Sequence, residues 1–269
     1  MQDIKVGVIG CGTIGKFICE SITKDIPELE LLAISDQEEK KALELSKQLP
    51  KSIKIFLAEE LIKEVDLIVE CASQEAVKKY VKKALFIGKD VLIMSVGALV
   101  DDLDIVSTAK EKGAKIYIPS GAIAGIDGLK SAICGKINRV IINTTKHPKS
   151  LEGAPYLLEN NIKIESITRK TKIFEGTAKE AATAFPKNIN VSAVLSLAGI
   201  GFKNTEVALF ADPETKTNTH EIYIEGDFGN ITTKCENFPF PFNPKTSFLA
   251  ALSAVATLKQ IVNPLKIGN

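Results

Sequence analysis

Three glycines near the start of the sequence, in VGVIGCGTIGKFICESI, place the strongest constraint on how this chain can fold. Gly10, Gly12 and Gly15 are spaced as G-x-G-x-x-G. An apolar, β-branched run over residues 4–9 precedes them and predicts a buried strand, and apolar residues recur at helical spacing after them. A second apolar run, LELLAISD, ends in Asp36, which lies about twenty residues further on. This order of signals predicts a βαβ unit of a parallel sheet.

The same context favours a dinucleotide site at the glycines. Gly10 would allow the tight turn out of the strand, Gly12 would let the backbone approach a pyrophosphate, and Gly15 would let the helix and strand pack closely. A strand-turn-helix with a purely structural role is the alternative, because glycine is common and the spacing alone is unspecific.

Further cofactor contacts are expected around the glycines. Thr13 and Ile14 would present N–H groups to the pyrophosphate at the start of the helix, where the helix dipole favours an anion. Asp36 would accept hydrogen bonds from the adenosine ribose and would repel a 2′-phosphate, which predicts NAD. NADP remains possible because Lys40 and Lys41 follow Asp36.

Composition narrows the partners of the chain. The 269 residues carry a net charge of +1 without a dense basic tract, so we expect a small-molecule partner and neither nucleic acid nor a membrane surface. No apolar run approaches the roughly 20 residues that span a bilayer. The five cysteines are scattered and the chain begins directly on a predicted strand, which predicts a cytoplasmic protein with reduced thiols. With only two histidines, no metal site is expected.

The order of strand and helix signals predicts the fold class. Over residues 1–120 they alternate, which indicates an α/β dinucleotide-binding domain with a Rossmann-type, doubly wound parallel sheet. Over residues 121–240, alternating stretches such as RVIINTTKHPKS indicate an antiparallel sheet with one covered face, in an inserted α+β domain for catalysis and dimerisation. Residues 241–269 contain an apolar helix that we expect to pack back on the first domain. We predict a homodimer, formed through a sheet face or edge of the second domain.

Several polar or small residues are candidates for the site. Ala72 and Ser73, in ECASQ, would leave room for the nicotinamide half of the cofactor or would simply form a tight turn. His220 follows a polar loop and is one of two imidazoles that could carry a proton near neutral pH. The alternative for His220 is an ordinary surface or capping residue.

Two further motifs allow either a structural or a functional role. In FPKNINVSA, the amides of Asn188 and Asn190 would cap a helix or, with Lys187, would orient cofactor or substrate. In FNPKTSF, Lys245 and Thr246 would cap the last helix or would present a charge and N–H groups to a carboxylate.

Taken together, GVIGCGTIGK, VECASQEAVKKY, IPSGAIAGIDGL, HPKSL, FPKNINVSA, ADP followed by TH, and NPKTS resemble the L-aspartate dehydrogenases over nearly the whole chain. The resemblance implies oxidation of L-aspartate at Cα by NAD or NADP, giving iminoaspartate and then oxaloacetate and ammonia, with a role in NAD biosynthesis. It implies that Ala124 and Asn190, with the glycine loop, bind the cofactor, and that His220 is catalytic.

The substrate carboxylates would then need cationic partners. Because only Arg139 and Arg169 are arginines, we expect Lys245, Lys187, backbone N–H groups, and His147 or Lys149 to bind them. Two other functions remain open. One is a related dehydrogenase or reductase acting on another small anion of the homoserine or dihydrodipicolinate type, and the other is a non-catalytic dinucleotide-sensing protein.

Overall fold

The structure, a computed structural model, describes almost the whole chain. It covers residues 3–51, 53–240 and 243–269, and for residues 243–245 it describes the backbone alone. No helix in these ranges is long and apolar enough to cross a membrane.

Contacts along the chain divide it into two compact units. The first unit comprises Met1–Pro119 and Ala251–Lys266, and the second comprises Ser120–Ala250 and Ile267–Asn269. The functional division expected at residues 120 and 240 stays a prediction.

The first unit contains a parallel sheet. Its six strands in the described residues are β1 (Ile4–Ile9), β2 (Leu29–Ser35), β3 (Lys54–Ile55), β4 (Leu67–Glu70), β5 (Asp90–Ile93) and β6 (Ile116–Tyr117). They lie in the order β3-β2-β1-β4-β5-β6, and every neighbouring pair is parallel. This is the doubly wound order of the Rossmann fold, so the predicted fold class is confirmed.

Helices connect these strands. They are α1 (Thr13–Asp25), α2 (Glu39–Gln48), α3 (Ala58–Glu64), α4 (Gln74–Ala76), α5 (Lys82–Phe86) and α6 (Asp104–Lys112). A π-helical turn, Val77–Val81, joins α4 to α5. Helix α1 buries Ile18 and Ile22, which lie one turn apart on one face, and α6 ends where Gly113 adopts a left-handed φ of 69°.

The second unit contains a mixed sheet. Its five strands in the described residues are β7 (Ile137–Lys146), β8 (Thr171–Thr177), β9 (Thr205–Ala211), β10 (Asn218–Gly226) and β11 (Gly229–Asn237). Their order is β11-β10-β7-β9-β8, and β7 pairs with β9 in parallel while the other neighbours are antiparallel. The antiparallel sheet expected from the alternating pattern is therefore wrong at the β7–β9 pair, because the pattern reports a covered face and carries no information on strand direction.

The covered face itself agrees with the alternation. Val140 and Ile142 on β7 and Ile222 and Ile224 on β10 are almost completely buried. Helices of this unit are α7 (Ile126–Ala132), α8 (Pro155–Glu159), α9 (Ala178–Ala184) and α10 (Asn190–Ala198). Of these, α9 packs on β8 and β9, and α10 packs on β9 and α7.

The last helix begins later than its sequence suggests. NPKTS forms part of a short antiparallel pair, β12 (Pro239–Phe240) and β13 (Asn243–Ser247), and α11 (Phe248–Val262) starts only after it. The helix-capping role considered for this motif is thus replaced by a strand, because a residue before proline favours extended backbone and β12 supplies a partner.

The apolar core of the first unit contains residues from both ends of the chain. Ala254, Val255 and Leu258 of α11 belong to the same buried apolar cluster as Val6 and Val8 of β1. The core of this unit is therefore built from sequence segments that lie about 250 residues apart.

Candidate active site

Two of the three glycines are required by the packing of the first unit. Gly10 has a φ of 105°, and a Cβ there would lie 2.8 Å from backbone atoms of Cys71 and Ala72. A Cβ on Gly15 would lie 1.8 Å from the carbonyl oxygen of Gly10. Any larger residue at either position would displace the turn between β1 and α1.

Gly12 is different, because nothing in the described chain explains its lack of a side chain. It has an ordinary φ of −73°, and a Cβ built on it would have no neighbour within 4 Å. It is exposed at the start of α1, whose first turn has no side-chain cap and no acidic residue among the described residues. The open space at Gly12 fits the pyrophosphate of a dinucleotide. The N–H groups at the helix start, including those of Thr13 and Ile14, would donate hydrogen bonds to it.

Asp36 lies at the end of β2, beside this turn. Its Oδ2 accepts a 2.7 Å hydrogen bond from the Cys11 N–H, and its Oδ1 accepts one of 2.9 Å from the Glu38 N–H. These bonds fix the carboxylate, and each oxygen keeps a lone pair for a ribose hydroxyl. Lys41, which could otherwise approach a 2′-phosphate, forms an ion pair of 2.5 Å with Glu38.

A cleft of about 320 Å³ brings most of the predicted cofactor residues of the first unit together, whereas Thr13, Ile14 and Gly15 are not among the residues that line it. Its lining includes Gly10, Gly12, Asp36, Ala72 and Ser73. The residues present therefore fit a bound pyridine nucleotide.

Glu70 organises one wall of the cleft. It is fully buried, and its Oε1 accepts hydrogen bonds from the N–H groups of Ala72 (2.8 Å) and Ser73 (3.0 Å) and from Ser95 Oγ (2.9 Å). Its Oε2 accepts one from the Ser95 N–H (3.1 Å). Burial raises the pKa of this carboxyl, and the four hydrogen bonds oppose that shift. Ser73 in turn caps α4 by accepting a bond from the Ala76 N–H.

In the second unit, the covered face of the sheet changes from apolar to polar at one end. After Val140 and Ile142, the same face of β7 continues with Thr144 and Lys146, because side chains alternate along a strand. His220 on β10 lies directly opposite Thr144. A buried group of polar side chains thus follows a purely apolar core on one surface.

His220 is held within this polar group. It is 2% exposed, and its Nδ1 lies 2.9 Å from Thr144 Oγ1. Burial, followed by the nearby charge of Lys146, lowers the pKa of His220 to about 3, so the imidazole is neutral at physiological pH. The alternative of a surface or capping residue does not apply to this position.

Lys146 and Asn188 form the next contact of the polar group. The Nζ of Lys146 donates a 2.8 Å hydrogen bond to Asn188 Oδ1. Lys146 is only 8% exposed, and burial lowers its pKa to about 8. Helix α10 follows Asn188 without a side-chain cap from its N-cap residue, Ile189, so the alternative of helix capping does not account for this amide.

The segment that contains Ala124 is anchored to the same sheet. Asn237 Nδ2 donates to the Ala122 carbonyl oxygen (2.9 Å), and Thr233 Oγ1 donates to the Ala124 carbonyl oxygen (3.1 Å). Ala124 itself is exposed. These bonds hold the GAIAG backbone against the edge strand β11.

The remaining predicted residues lie in other settings. Lys187 is exposed, and Asn190 is the first residue of α10. His147 Nδ1 accepts a 3.3 Å hydrogen bond from the Lys149 N–H and so caps a short 3₁₀ turn. Thr246 is partly buried in β13. The side chain of Lys245 lies outside the described residues.

Sequence reasoning missed Glu70, Thr144 and Lys146. A period of two starting at Val140 would have found Thr144 and Lys146, since it places both on the buried face. Glu70 ends an otherwise apolar strand, LIVE, at the carboxyl end of the sheet, where ligands bind in doubly wound folds.

Comparisons with known proteins agree over nearly the full chain. Residues 127–261 match the family model "Aspartate dehydrogenase, C-terminal", and residues 10–119 match "Homoserine dehydrogenase, NAD binding domain". L-aspartate dehydrogenases from Methanococcoides burtonii and Methanosarcina acetivorans are 51% and 52% identical to this chain over an alignment of 272 positions, gaps included. Each alignment covers 98% of this chain and 99% of the relative.

Solved structures give the same result. The crystal structure of aspartate dehydrogenase from Thermotoga maritima matches with a TM-score of 0.76 and 29% identity, covering 98% of this chain and 99% of that chain. An archaeal homoserine dehydrogenase in complex with NADPH shares the fold at a TM-score of 0.62 and 14% identity. The fold, the cleft and these relatives define an oxidoreductase that uses a pyridine nucleotide. Within that class, the chain belongs to the L-aspartate dehydrogenase family, as the sequence resemblance indicated.

Proposed function

We propose that this protein oxidises L-aspartate at Cα with NAD or NADP, giving iminoaspartate, which water converts to oxaloacetate and ammonia. The observation that carries the proposal is the buried, neutral His220 beside Thr144, at the polar end of a covered sheet face. Named relatives that match nearly the whole chain support aspartate as the substrate.

Cofactor binding is assigned to the cleft of the first unit. The glycine loop, with Thr13 and Ile14, would hold the pyrophosphate, and Asp36 would bind the adenosine ribose. Ala72 and Ser73 would bound the nicotinamide half, and Ala124 and Asn190 stay predicted cofactor-binding residues. When bound, the nicotinamide accepts a hydride from the substrate Cα.

His220 moves the protons of the reaction. With Nδ1–H donating to Thr144 Oγ1, its Nε2 keeps a lone pair that takes one proton from the substrate ammonium group. Loss of that proton and of the hydride leaves a protonated imine. After releasing that proton to solvent, His220 accepts a proton from the attacking water and returns it to the departing nitrogen. The substrate carboxylates stabilise the transient imidazolium, because an opposite charge favours the charged form.

Other parts of the proposal concern binding and context. Asn188, Lys187, Lys245, Thr246 and His147 stay predicted substrate-binding residues, with Lys245 and Lys187 facing carboxylates. A role in supplying NAD biosynthesis, a homodimer and a cytoplasmic location likewise stay predictions.

A substrate panel tests the proposal directly. NADH or NADPH formation at 340 nm is measured with L-aspartate, L-homoserine, L-malate and L-alanine, and the reverse reaction with a dihydrodipicolinate-type substrate. Turnover of L-aspartate far above the others is expected. Preferential turnover of homoserine or of the ring substrate would assign the chain to a related reaction, and cofactor binding without turnover of any of them would indicate a sensing protein.

A further inference from the structure

Lys146 is a buried cation without an anionic partner in the described structure. The hydrogen bond to Asn188 Oδ1 goes to a neutral amide. Burial lowers the pKa of Lys146, and no opposite charge in the described part of the chain offsets that shift. A lysine ammonium has three donors, and one of them is used here.

Such an arrangement is costly to the folded chain. Removing an ammonium group from water without a counter-charge destabilises a protein, which is why buried charges are normally paired. Val140 and Ile142 lie on the same buried face of β7, so an uncharged side chain would also pack at position 146. Lys146 is therefore better explained by a ligand than by folding.

The position of Lys146 indicates which chemical group it would bind. It shares a strand face with Thr144, which contacts His220, and its charge acts on the His220 imidazole. An anionic group bound to Lys146 would thus lie next to the proton carrier. In a substrate oxidised at the carbon between an amine and a carboxylate, such an anionic group is close to the reacting atom.

The arginines of the chain do not compete for this role. Arg139 makes two hydrogen bonds to Glu206, of 2.7 and 2.6 Å, and lies seven residues before Lys146 on β7, a distance of about 23 Å along a strand. Arg169 is exposed and precedes β8.

We propose that Lys146 is a substrate-binding residue whose ammonium group holds a carboxylate of the anionic amino-acid substrate beside His220. The inference rests on the proposed function, which supplies the carboxylate and the reaction at His220. It has one electrostatic consequence. A carboxylate on Lys146 offsets the positive charge that weakens His220 as a base, so substrate binding itself prepares the imidazole to accept a proton.

The test compares Lys146→Met with Lys136→Met. Methionine matches lysine in length and removes the charge, and Lys136 is an exposed lysine just before the opposite end of the same strand. Lys146→Met should raise KM for L-aspartate tenfold or more, as expected when a charged hydrogen bond is lost, while the Kd for NADH changes less than twofold. Lys136→Met should leave both values unchanged, and thermal melting checks that each variant is folded.

A second readout uses succinate, a dicarboxylate without an amine, titrated calorimetrically into the enzyme saturated with NADH. Between pH 7 and pH 9, succinate should bind the native enzyme about tenfold more weakly, because Lys146 with a pKa of about 8 loses its proton. His220, with a pKa of about 3, stays neutral across this range. His147 and Asp212 are the neighbouring titratable residues, and their side chains bond instead to the N–H groups of Lys149 and Glu214. The Lys146→Met variant should bind weakly at both pH values.

The outcomes distinguish failure of the role proposed for Lys146 from failure of the proposed function. If the native enzyme oxidises L-aspartate but Lys146→Met keeps the native KM and succinate affinity, the role of Lys146 is overturned and the proposed function stands. If the native enzyme does not oxidise L-aspartate, the proposed function is overturned before any variant is made.

Discussion

A glutamate, a lysine and a histidine lie buried in this molecule, and burial shifts the pKa of each toward its neutral form. The pKa of Glu70 is raised, and those of Lys146 and His220 are lowered to about 8 and about 3. The sequence identified His220 as a candidate because imidazoles are scarce. It did not identify Lys146 or Glu70, because polar residues at strand ends usually face solvent. For Lys146, the period of two along β7 was the available signal of burial.

One prediction at the residue scale concerns the orientation of His220. Thr144→Val keeps the side-chain shape and removes the oxygen that holds Nδ1, so kcat should fall by about 10- to 100-fold, less than the roughly 100-fold or greater loss expected for His220→Ala. KM for aspartate should change little. Thr145→Val is the matched control, since Thr145 is equally buried on the next position of β7 but is not opposite His220. Equal kcat values for the two valine variants would contradict the role given to Thr144.

A second residue-scale prediction concerns cofactor choice. NAD should bind at least as tightly as NADP, because Asp36 repels a 2′-phosphate and Lys41 is paired with Glu38. Asp36→Ser should increase the affinity for NADP relative to NAD about tenfold, as expected when a like-charge repulsion of about 1.4 kcal/mol is removed. Fluorescence titration with NADH and NADPH measures both ratios. A native enzyme that binds NADPH tenfold more tightly than NADH would show that Asp36 does not govern the choice.

At the scale of elements, the β1–turn–α1 unit combines glycines that its packing requires, Gly10 and Gly15, with a proposed ligand-binding role for Gly12. The sequence predicted this unit well because its strand, helix and glycine signals are local. It predicted the strands of the second unit less well. Strand direction in the mixed sheet and the pairing of β13 with β12 depend on which distant segment supplies the partner, and local patterns do not contain that information.

A prediction at the element scale compares alanine variants of two glycines in this turn, Gly12 and Gly15. Gly12→Ala should fold with a melting temperature close to that of the native protein, because its Cβ enters open space, but should weaken NADH binding tenfold or more. Gly15→Ala should lower stability by several kcal/mol, because its Cβ overlaps the Gly10 carbonyl oxygen. Thermal melting and NADH titration of both variants provide the measurement. Unchanged NADH affinity in Gly12→Ala would remove the pyrophosphate from this turn.

At the scale of the whole molecule, the sequence predicts a change of character near residue 120 and a last helix that packs back on the first domain, and the functional division at these bounds stays a prediction. Leu258 should contribute strongly to the first unit because it is fully buried in its apolar cluster. Leu258→Ala should destabilise the protein by about 2–5 kcal/mol, whereas Leu252→Ala, on a more exposed face of α11, should cost far less. Denaturant unfolding followed by circular dichroism compares the two. Similar losses would show that α11 does not complete the core as described.

The contribution of α11 to the first unit also limits the order in which the two units can fold during synthesis. The ribosome releases the β1–β6 segment first, but Ala254, Val255 and Leu258 emerge only after residues Ser120–Ala250 have been translated. At about 5–20 residues per second this delay is on the order of ten seconds. During that interval the nascent sheet exposes the apolar surface that α11 later covers. The first unit, although its sheet is synthesised first, therefore cannot reach its native state before residues Ser120–Ala250 have been made, and a nucleotide bound in its cleft could stabilise it only from that point on.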